Sequence, residues 1–102
     1  MEIKFKEWNC YLEFDKYVNN DRIALQLREI GTGEYIACAT VNLSHEPMKE
    51  KEVAIKSYSE NEGMLKCLMD NGVVSPPLRY VHSGFVTIPI CNLLIKDKDD
   101  NI

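Results

Sequence analysis

One segment of the chain, residues 58–72, repeats its apolar residues at helical spacing. Met64, Leu65, Leu68 and Met69 follow one another at intervals of one, three and one residues, which is the pattern of an amphipathic helix. Ser59 precedes this run and Glu62 follows three residues later, an order that predicts a capping box at the helix start. Asn71 and Gly72 offer the left-handed residue that commonly ends a helix. The segment therefore predicts one helix with both of its ends defined.

Alternating apolar and polar residues predict strands on both sides of this helix. The predicted strands are residues 3–17, with a break in the alternation near Trp8, and residues 22–30, 35–43, 53–58 and 85–94. Gly31 and Gly33 flank Thr32 in a predicted hairpin turn. Pro89 lies inside the last strand, so we expect it at a bulge or at an unpaired edge position.

The order of these elements is four strands, a helix and a strand. This order predicts an α+β domain in which one helix covers one face of a mostly antiparallel sheet of about four to five strands. We expect a single domain over residues 1–95 and a flexible acidic tail over residues 96–102. Residues 44–52 carry Pro47 and several charges, which predicts an exposed loop that contributes little to the core.

Composition excludes several classes of protein. The 102 residues are 45% hydrophobic, with no apolar run of membrane-spanning length, so we expect no membrane contact. The first residues alternate charged and apolar side chains, unlike a signal peptide, which predicts a cytoplasmic location. Twelve basic against sixteen acidic residues give a net charge of -4. This balance argues against binding dominated by phosphate groups and favours a basic partner.

No arrangement of reactive residues predicts catalysis. Cys10, Cys38, Cys67 and Cys91 lack paired spacing, so we interpret them as small apolar residues rather than as disulfide or metal ligands. His45 and His82 lie in predicted loops, without a recognisable nucleophile beside them. Glu60 and Glu62 are explained by the preference for acids in a first helical turn. We therefore expect a protein that is not an enzyme and that needs no metal or cofactor.

Aromatic and basic residues leave one alternative open. The aromatic residues in question are Trp8, Tyr11, Tyr17, Tyr35, Tyr58, Tyr80 and Phe85, and the basic ones are Lys4, Lys6, Lys16, Arg22, Arg28 and Arg79. A sheet that presents such a mixture can stack the bases of a single-stranded nucleic acid. The acidic balance works against this alternative, because it weakens the attraction of a phosphate backbone.

The C-terminal half resembles a family of short proteins of unknown function. The similar segments are V-A-I-K-S-Y-S-E-N-E-G-M-L-K-C-L-M-D-N-G-V-V at 53–74 and S-G-F-V-T-I-P-I-C-N-L-L at 83–94. Proteins of that family are carried on phages, plasmids and integrative elements of Gram-positive and gut bacteria. The resemblance implies an accessory protein of a mobile element and brings no catalytic residues with it.

Three functional hypotheses follow. The first is a counter-defence inhibitor, similar to an anti-CRISPR protein, that binds a basic surface of a host defence protein. Its candidate contact residues are Glu50, Glu52, Glu60, Asn61 and Asp70, of which the last three are expected on an outward rim of the helix. The second is a regulatory or replication-associated module that binds single-stranded nucleic acid. The third is a homodimer whose exposed edge strand pairs with its symmetry mate.

Overall fold

Seven strands, one short 3₁₀ turn and one α-helix form the part of the chain that the structure describes. This structure is a computed structural model, and it describes residues 1–96. The strands are β1 (Glu2–Phe5), β2 (Trp8–Lys16), β3 (Ile23–Glu29), β4 (Tyr35–Cys38), β5 (Glu52–Ala54), β6 (Arg79–Ser83) and β7 (Val86–Asn92). The 3₁₀ turn spans Ser59–Asn61, and the helix α1 spans Met64–Asp70.

The first four strands form an antiparallel meander in the order β1-β2-β3-β4. The predicted break near Trp8 is a hairpin turn, because Phe5 pairs with Trp8 and only two residues connect them. The first of these, Lys6, has a φ of 54°, a left-handed conformation that such tight turns require. Residues 3–17, predicted as one strand with a break, therefore form the two strands β1 and β2, and the predicted Gly31–Gly33 turn joins β3 to β4.

The last three strands form a second antiparallel sheet in the order β5-β7-β6. An isolated bridge between Thr40 and Ile55 links the two sheets, and Val41 N donates to the Ala54 carbonyl over 3.0 Å. The predicted α+β class with antiparallel strands is confirmed. The seven strands exceed the predicted four to five, because residues 3–17 form two strands and because β6, which follows two prolines, was not predicted as a strand.

Pro89 lies in the central strand of the second sheet rather than at an edge or bulge. Its carbonyl accepts a hydrogen bond from Ile55 N over 3.0 Å, just past the end of β5. In an antiparallel strand the nitrogen and carbonyl of one residue point to the same side. The missing N–H of Pro89 therefore faces the point where β5 ends, so the proline is tolerated in a central strand.

The helix begins later than the sequence predicts. Ser59 lies in the 3₁₀ turn with a φ of 56°, and α1 begins only after Gly63, which has a φ of 91° and provides no side-chain cap. The predicted capping box of Ser59 and Glu62 is therefore wrong. Ser57 takes its place, because its Oγ accepts a hydrogen bond from Leu65 N over 3.0 Å.

The predicted end of the helix is confirmed. Gly72 has a φ of 71°, and Val73 N donates back to the Leu68 carbonyl over 2.9 Å. This reverse bond is the mark of a Schellman motif, in which glycine adopts the left-handed conformation without a steric penalty.

Two apolar clusters form the core. In the larger one, Leu25 and Leu27 of the meander meet Met64 and Leu68 of α1, so the helix covers a sheet face as predicted. The smaller one surrounds Ile88 and Ile90 of β7. Residues 44–52 contribute more than predicted, because Met48 packs against the smaller cluster and Glu52 is buried. No helix within residues 1–96 is long and apolar enough to cross a membrane.

Only the first residue of the predicted flexible acidic tail, residues 96–102, belongs to the described part of the chain. Lys96 is the last residue that the structure describes, so the expectation for residues 97–102 lies outside the described residues.

Candidate binding surface

Three residues on neighbouring strands of the meander form a continuous row, which we call the tyrosine–arginine row. Tyr11 on β2 pairs with Arg28 on β3, and Arg28 pairs with Tyr35 on β4. Residues paired in this way lie side by side on one face of a sheet. The side chains of Tyr11 and Tyr35 are 36% and 56% exposed. The row therefore presents two aromatic side chains to solvent, with a guanidinium between them.

Arg28 is held in a fixed orientation. Its Nε donates to Glu13 Oε1 over 2.9 Å, and one terminal nitrogen donates to the Gly33 carbonyl over 3.1 Å. The hydrogen bond and charge of Glu13 raise the pKa of Arg28 above its ordinary value. The hairpin turn after β3 supplies the Gly33 carbonyl, so the local fold positions the centre of the row.

Acidic side chains flank the row on its β1 and β2 sides. Glu2 pairs with Tyr11 across β1 and β2, and Glu13 lies two residues beyond Tyr11 on the same face of β2. Tyrosine and arginine are the residues most enriched among those that dominate protein interfaces. The arrangement therefore offers aromatic area on a rigid sheet beside Glu2, while the charge of Glu13 is compensated by Arg28.

The two outward acidic residues that the sequence predicts as contacts, Glu60 and Asp70, are each paired with a lysine. Glu60 Oε2 lies 2.6 Å from Lys56 Nζ, and Asp70 Oδ2 lies 2.5 Å from Lys66 Nζ. The Lys56 hydrogen bond lowers the pKa of Glu60 below its ordinary value. Because each charge is compensated by a lysine four residues earlier in the chain, the two acids contribute little negative potential to a partner.

Asn61 is buried, so its predicted position on the outward rim is wrong. The side chain is 1% exposed, and its Nδ2 donates to the Cys38 carbonyl over 2.6 Å and to the Lys56 carbonyl over 3.0 Å. A buried amide is stable only when its hydrogen bonds are made. Asn61 therefore attaches the 3₁₀ turn to the end of β4, the strand that carries Tyr35.

Glu52 is also turned inward, which contradicts its use as a contact residue. It is 8% exposed, and Arg79 on β6 donates to both of its carboxylate oxygens over 3.0 and 3.2 Å. The Arg79 hydrogen bonds, with a further bond from the Lys49 amide, lower the pKa of Glu52. Glu52 therefore ties the two outer strands of the second sheet together.

Glu50 is exposed beside an open groove of about 580 Å³. Three acidic and three basic side chains line this groove, namely Asp15, Asp21, Glu50, Lys16, Lys51 and Lys96. The structure thus separates the five predicted contact residues into two inward residues, two lysine-paired residues and one groove residue. They do not form one surface.

The aromatic residues named in the nucleic-acid alternative fall into three groups. Trp8, Tyr17 and Tyr58 are partly buried; the Tyr17 hydroxyl bonds Thr40 Oγ1 over 2.9 Å, and burial raises the pKa of Tyr17 to about 12. Tyr80 and Phe85 are exposed on the β6–β7 hairpin. Only Tyr11 and Tyr35 flank an arginine in the paired sheet.

One buried thiol and one imidazole have defined surroundings. Burial raises the pKa of the Cys91 thiol to about 11, so the nucleophilic thiolate is disfavoured. His82 Nδ1 lies 3.1 Å from Thr87 Oγ1 in the neighbouring strand. Within the part of the chain that the structure describes, no three histidine, cysteine or acidic side chains converge on a possible metal position.

Sequence reasoning missed the tyrosine–arginine row because the row depends on strand register. The signal for half of it was present, since Arg28 and Tyr35 stand on either side of the predicted Gly31–Gly33 turn. The partnership of Tyr11 with Arg28 requires the β2–β3 pairing, which periodicity alone does not fix.

No protein family model matches this chain, and no curated protein or solved structure is significantly similar to it. The choice of the tyrosine–arginine row as the candidate surface therefore depends on exposure, register and residue type in this molecule.

Proposed function

We propose that this protein is a non-enzymatic binding protein whose tyrosine–arginine row contacts a partner protein. The observation that carries the proposal is the row itself, in which Arg28 is fixed between the exposed Tyr11 and Tyr35. A rigid aromatic surface loses little conformational entropy on binding. Such a surface favours a protein interface of modest size.

The acidic side chain of Glu2 and the net charge support a partner with a basic surface. Glu2 lies beside Tyr11, Glu13 is paired with Arg28, and the whole chain carries a net charge of -4. Complementary charge increases the association rate and suppresses contact with acidic partners. The support for a basic partner therefore comes from Glu2 and the net charge, because Glu13 is paired with Arg28 and the predicted residues Glu60 and Asp70 are paired with lysines.

We further propose, from the resemblance of residues 53–74 and 83–94 to mobile-element proteins, that the partner is a host defence or mobile-element protein. An inhibitor of this kind acts by occupying a surface that the defence protein needs for its own target. Shape-specific contact at the row suits this role better than mimicry of duplex DNA, because the net charge is small.

The proposal is tested by comparing three baits in lysate of a bacterial host. The baits are the wild-type chain, the row variant with Tyr11→Ala and Tyr35→Ala, and a control with Glu60→Gln and Asp70→Asn. We expect a protein captured by the wild type and the control to be lost with the row variant. Equal capture by all three baits, or loss only with the control, would contradict the role of the row.

A functional readout connects that partner to defence. The purified partner is assayed for its own activity, such as nuclease cleavage, with increasing amounts of wild-type protein or row variant. We expect inhibition by the wild type and at least a tenfold weaker effect of the row variant, about 1.4 kcal/mol of binding free energy. Binding without inhibition would contradict the proposed counter-defence role, but it would agree with the proposed role as a binding protein.

Single-stranded nucleic-acid binding is the second candidate, and the same row favours it. Two exposed tyrosines beside an arginine form a surface on which bases can stack. A titration of fluorescently labelled single strands at low and high salt separates this candidate from protein binding. Salt-dependent binding that is lost in the row variant would support it, and no binding at low salt would exclude it.

A further inference from the structure

The outer edge of β6 carries backbone groups that point away from its own sheet. The carbonyl of Pro89 points towards β5, where it accepts the hydrogen bond from Ile55 N, and therefore away from β6. Pro89 and Tyr80 consequently form a non-hydrogen-bonded pair. In an antiparallel ladder the backbone groups of such a residue point to the opposite edge of the strand. The N–H and C=O groups of Tyr80, and those of His82 two residues later, therefore point outward.

Nothing within residues 1–96 pairs with these outward groups. No backbone or side-chain hydrogen bond to the main chain of Tyr80 or His82 is present on that side. Both residues are exposed. An edge of this kind is a template for another strand.

Exposed apolar side chains lie beside the same edge. Leu78 is 49% exposed, Tyr80 59%, and Phe85 is fully exposed at the tip of the β6–β7 hairpin. Gly84, with a φ of 60°, and Phe85 form the two-residue loop between Ser83 and Val86. This loop geometry fixes Phe85 at the tip, where the fold of one chain gives it no apolar neighbour.

We propose that two copies of this chain associate by antiparallel pairing of their β6 strands about a two-fold axis at Val81. In this register Tyr80 of each copy faces His82 of the other, and their outward N–H and C=O groups form two reciprocal hydrogen-bonded pairs. The partner is a second copy because the strand is complementary to itself in this arrangement, as a two-fold interface requires.

Charge and apolar surface agree with that register. Arg79 lies opposite Ser83 of the second copy, so no like charges face each other, and the guanidinium is already paired with Glu52. The same register brings the hairpin tip with Phe85 alongside the segment that precedes β6 in the other copy, which contains Leu78. One association thus covers the exposed edge and its exposed apolar residues together.

The first experiment measures the mass of the protein by sedimentation velocity over a range of concentrations. We expect a concentration-dependent dimer for the wild type. The double variant Tyr80→Lys with His82→Lys places like charges opposite each other twice, which should weaken dimerisation by about tenfold. The double variant Tyr80→Lys with His82→Glu places opposite charges there and should restore it.

Each outcome bears on the proposal. A wild-type protein that is monomeric at every concentration would overturn it, and so would two variants that dimerise equally. The row variant with Tyr11→Ala and Tyr35→Ala serves as the control, because those residues lie in the other sheet. Its dimerisation should be unchanged. Loss of dimerisation and loss of partner binding at the row, on which the proposed function depends, can therefore be distinguished.

A cross-link checks the two-fold axis itself. Val81 faces its own counterpart in a non-hydrogen-bonded pair, whose Cα atoms lie about 4.5 Å apart, within the range that a disulfide bridges. The variant Val81→Cys should therefore form a covalent dimer under mild oxidation, whereas Thr87→Cys, on the neighbouring strand, should not. A dimer of the wild type without cross-linking of Val81→Cys would overturn the register.

Discussion

The two outermost strands of the molecule, β1 and β6, are treated differently by the fold. At β1, the helix α1 packs against the strand, and Cys67 Sγ donates to the Lys4 carbonyl over 3.3 Å. At β6, no element within residues 1–96 occupies the outer edge. Both strands are short, at four and five residues, so length does not explain the difference.

The difference shows that the single helix closes one side of the molecule only. Covering an edge removes its unpaired backbone groups from other chains, whereas an open edge retains them. The covered edge is therefore expected to matter for stability, and the open edge for association. Changes at the two edges should separate these two properties.

The largest effect is expected from a buried residue of the helix that packs against β1. Leu68 is fully buried, so Leu68→Ala should lower the free energy of unfolding by about 3 kcal/mol through lost burial and the cavity left behind. Urea denaturation measures the loss. Leu65→Ala, at a partly buried position of the same helix, is the matched control and should cost less.

A smaller loss is expected from Asn61→Ala, which detaches the turn that leads into this helix. Two carbonyls, of Cys38 and Lys56, would lose their buried donor, at a cost of about 2 kcal/mol. The measurement is again urea denaturation. Glu60→Gln, at the neighbouring exposed position, should leave stability nearly unchanged; equal losses for both variants would contradict the buried role of Asn61.

In the second sheet, low pH should weaken the ion pair between Glu52 on β5 and Arg79 on β6. The folded state holds the pKa of Glu52 below its unfolded value of about 4.3, so its stabilisation is present above that value and is lost as the pH falls through the folded pKa. The stability difference between wild type and Glu52→Gln should therefore be greatest at neutral pH. Thermal unfolding across pH 3–7 checks this; a difference that grows in acid would refute it.

The smallest change in stability is expected at the open edge itself. Tyr80→Lys alters an exposed side chain and no hydrogen bond within one chain, so the unfolding free energy of the monomer should change by less than about 0.5 kcal/mol. Dilute protein, below the dimerisation range, provides the measurement by thermal unfolding. A large loss would mean that Tyr80 supports the β6–β7 hairpin rather than an interface.

The sequence predicts this fold best where local chemistry decides it. The alternation at residues 22–30 predicts β3, and Gly72 predicts the end of the helix, because each signal acts over a few residues. The predicted start of the helix was wrong. The helix begins after Gly63, and the hydrogen bond from Leu65 N to Ser57 Oγ, which spans eight residues, takes the place of the Ser59 capping box.

Distant partners account for most of what the sequence does not predict. Asn61 and Glu52 were predicted to be exposed, and both are buried. Asn61 forms its hydrogen bond with the carbonyl of Cys38, 23 residues away, and Glu52 accepts hydrogen bonds from Arg79, 27 residues away. The strand β6 was missed since it is short and follows two prolines. The tyrosine–arginine row likewise depends on register, which no single segment encodes.

The order of the strands also has a consequence for how the chain folds. Each strand of the meander pairs with the next along the sequence. In the second sheet Glu52 on β5 pairs with Asn92 on β7, and the helix and β6 lie between them in the sequence. Closing that longer loop costs more chain entropy before any contact repays it. The meander, with its binding row, and the β6–β7 hairpin are therefore expected to form early in folding, and the β5–β7 pairing late.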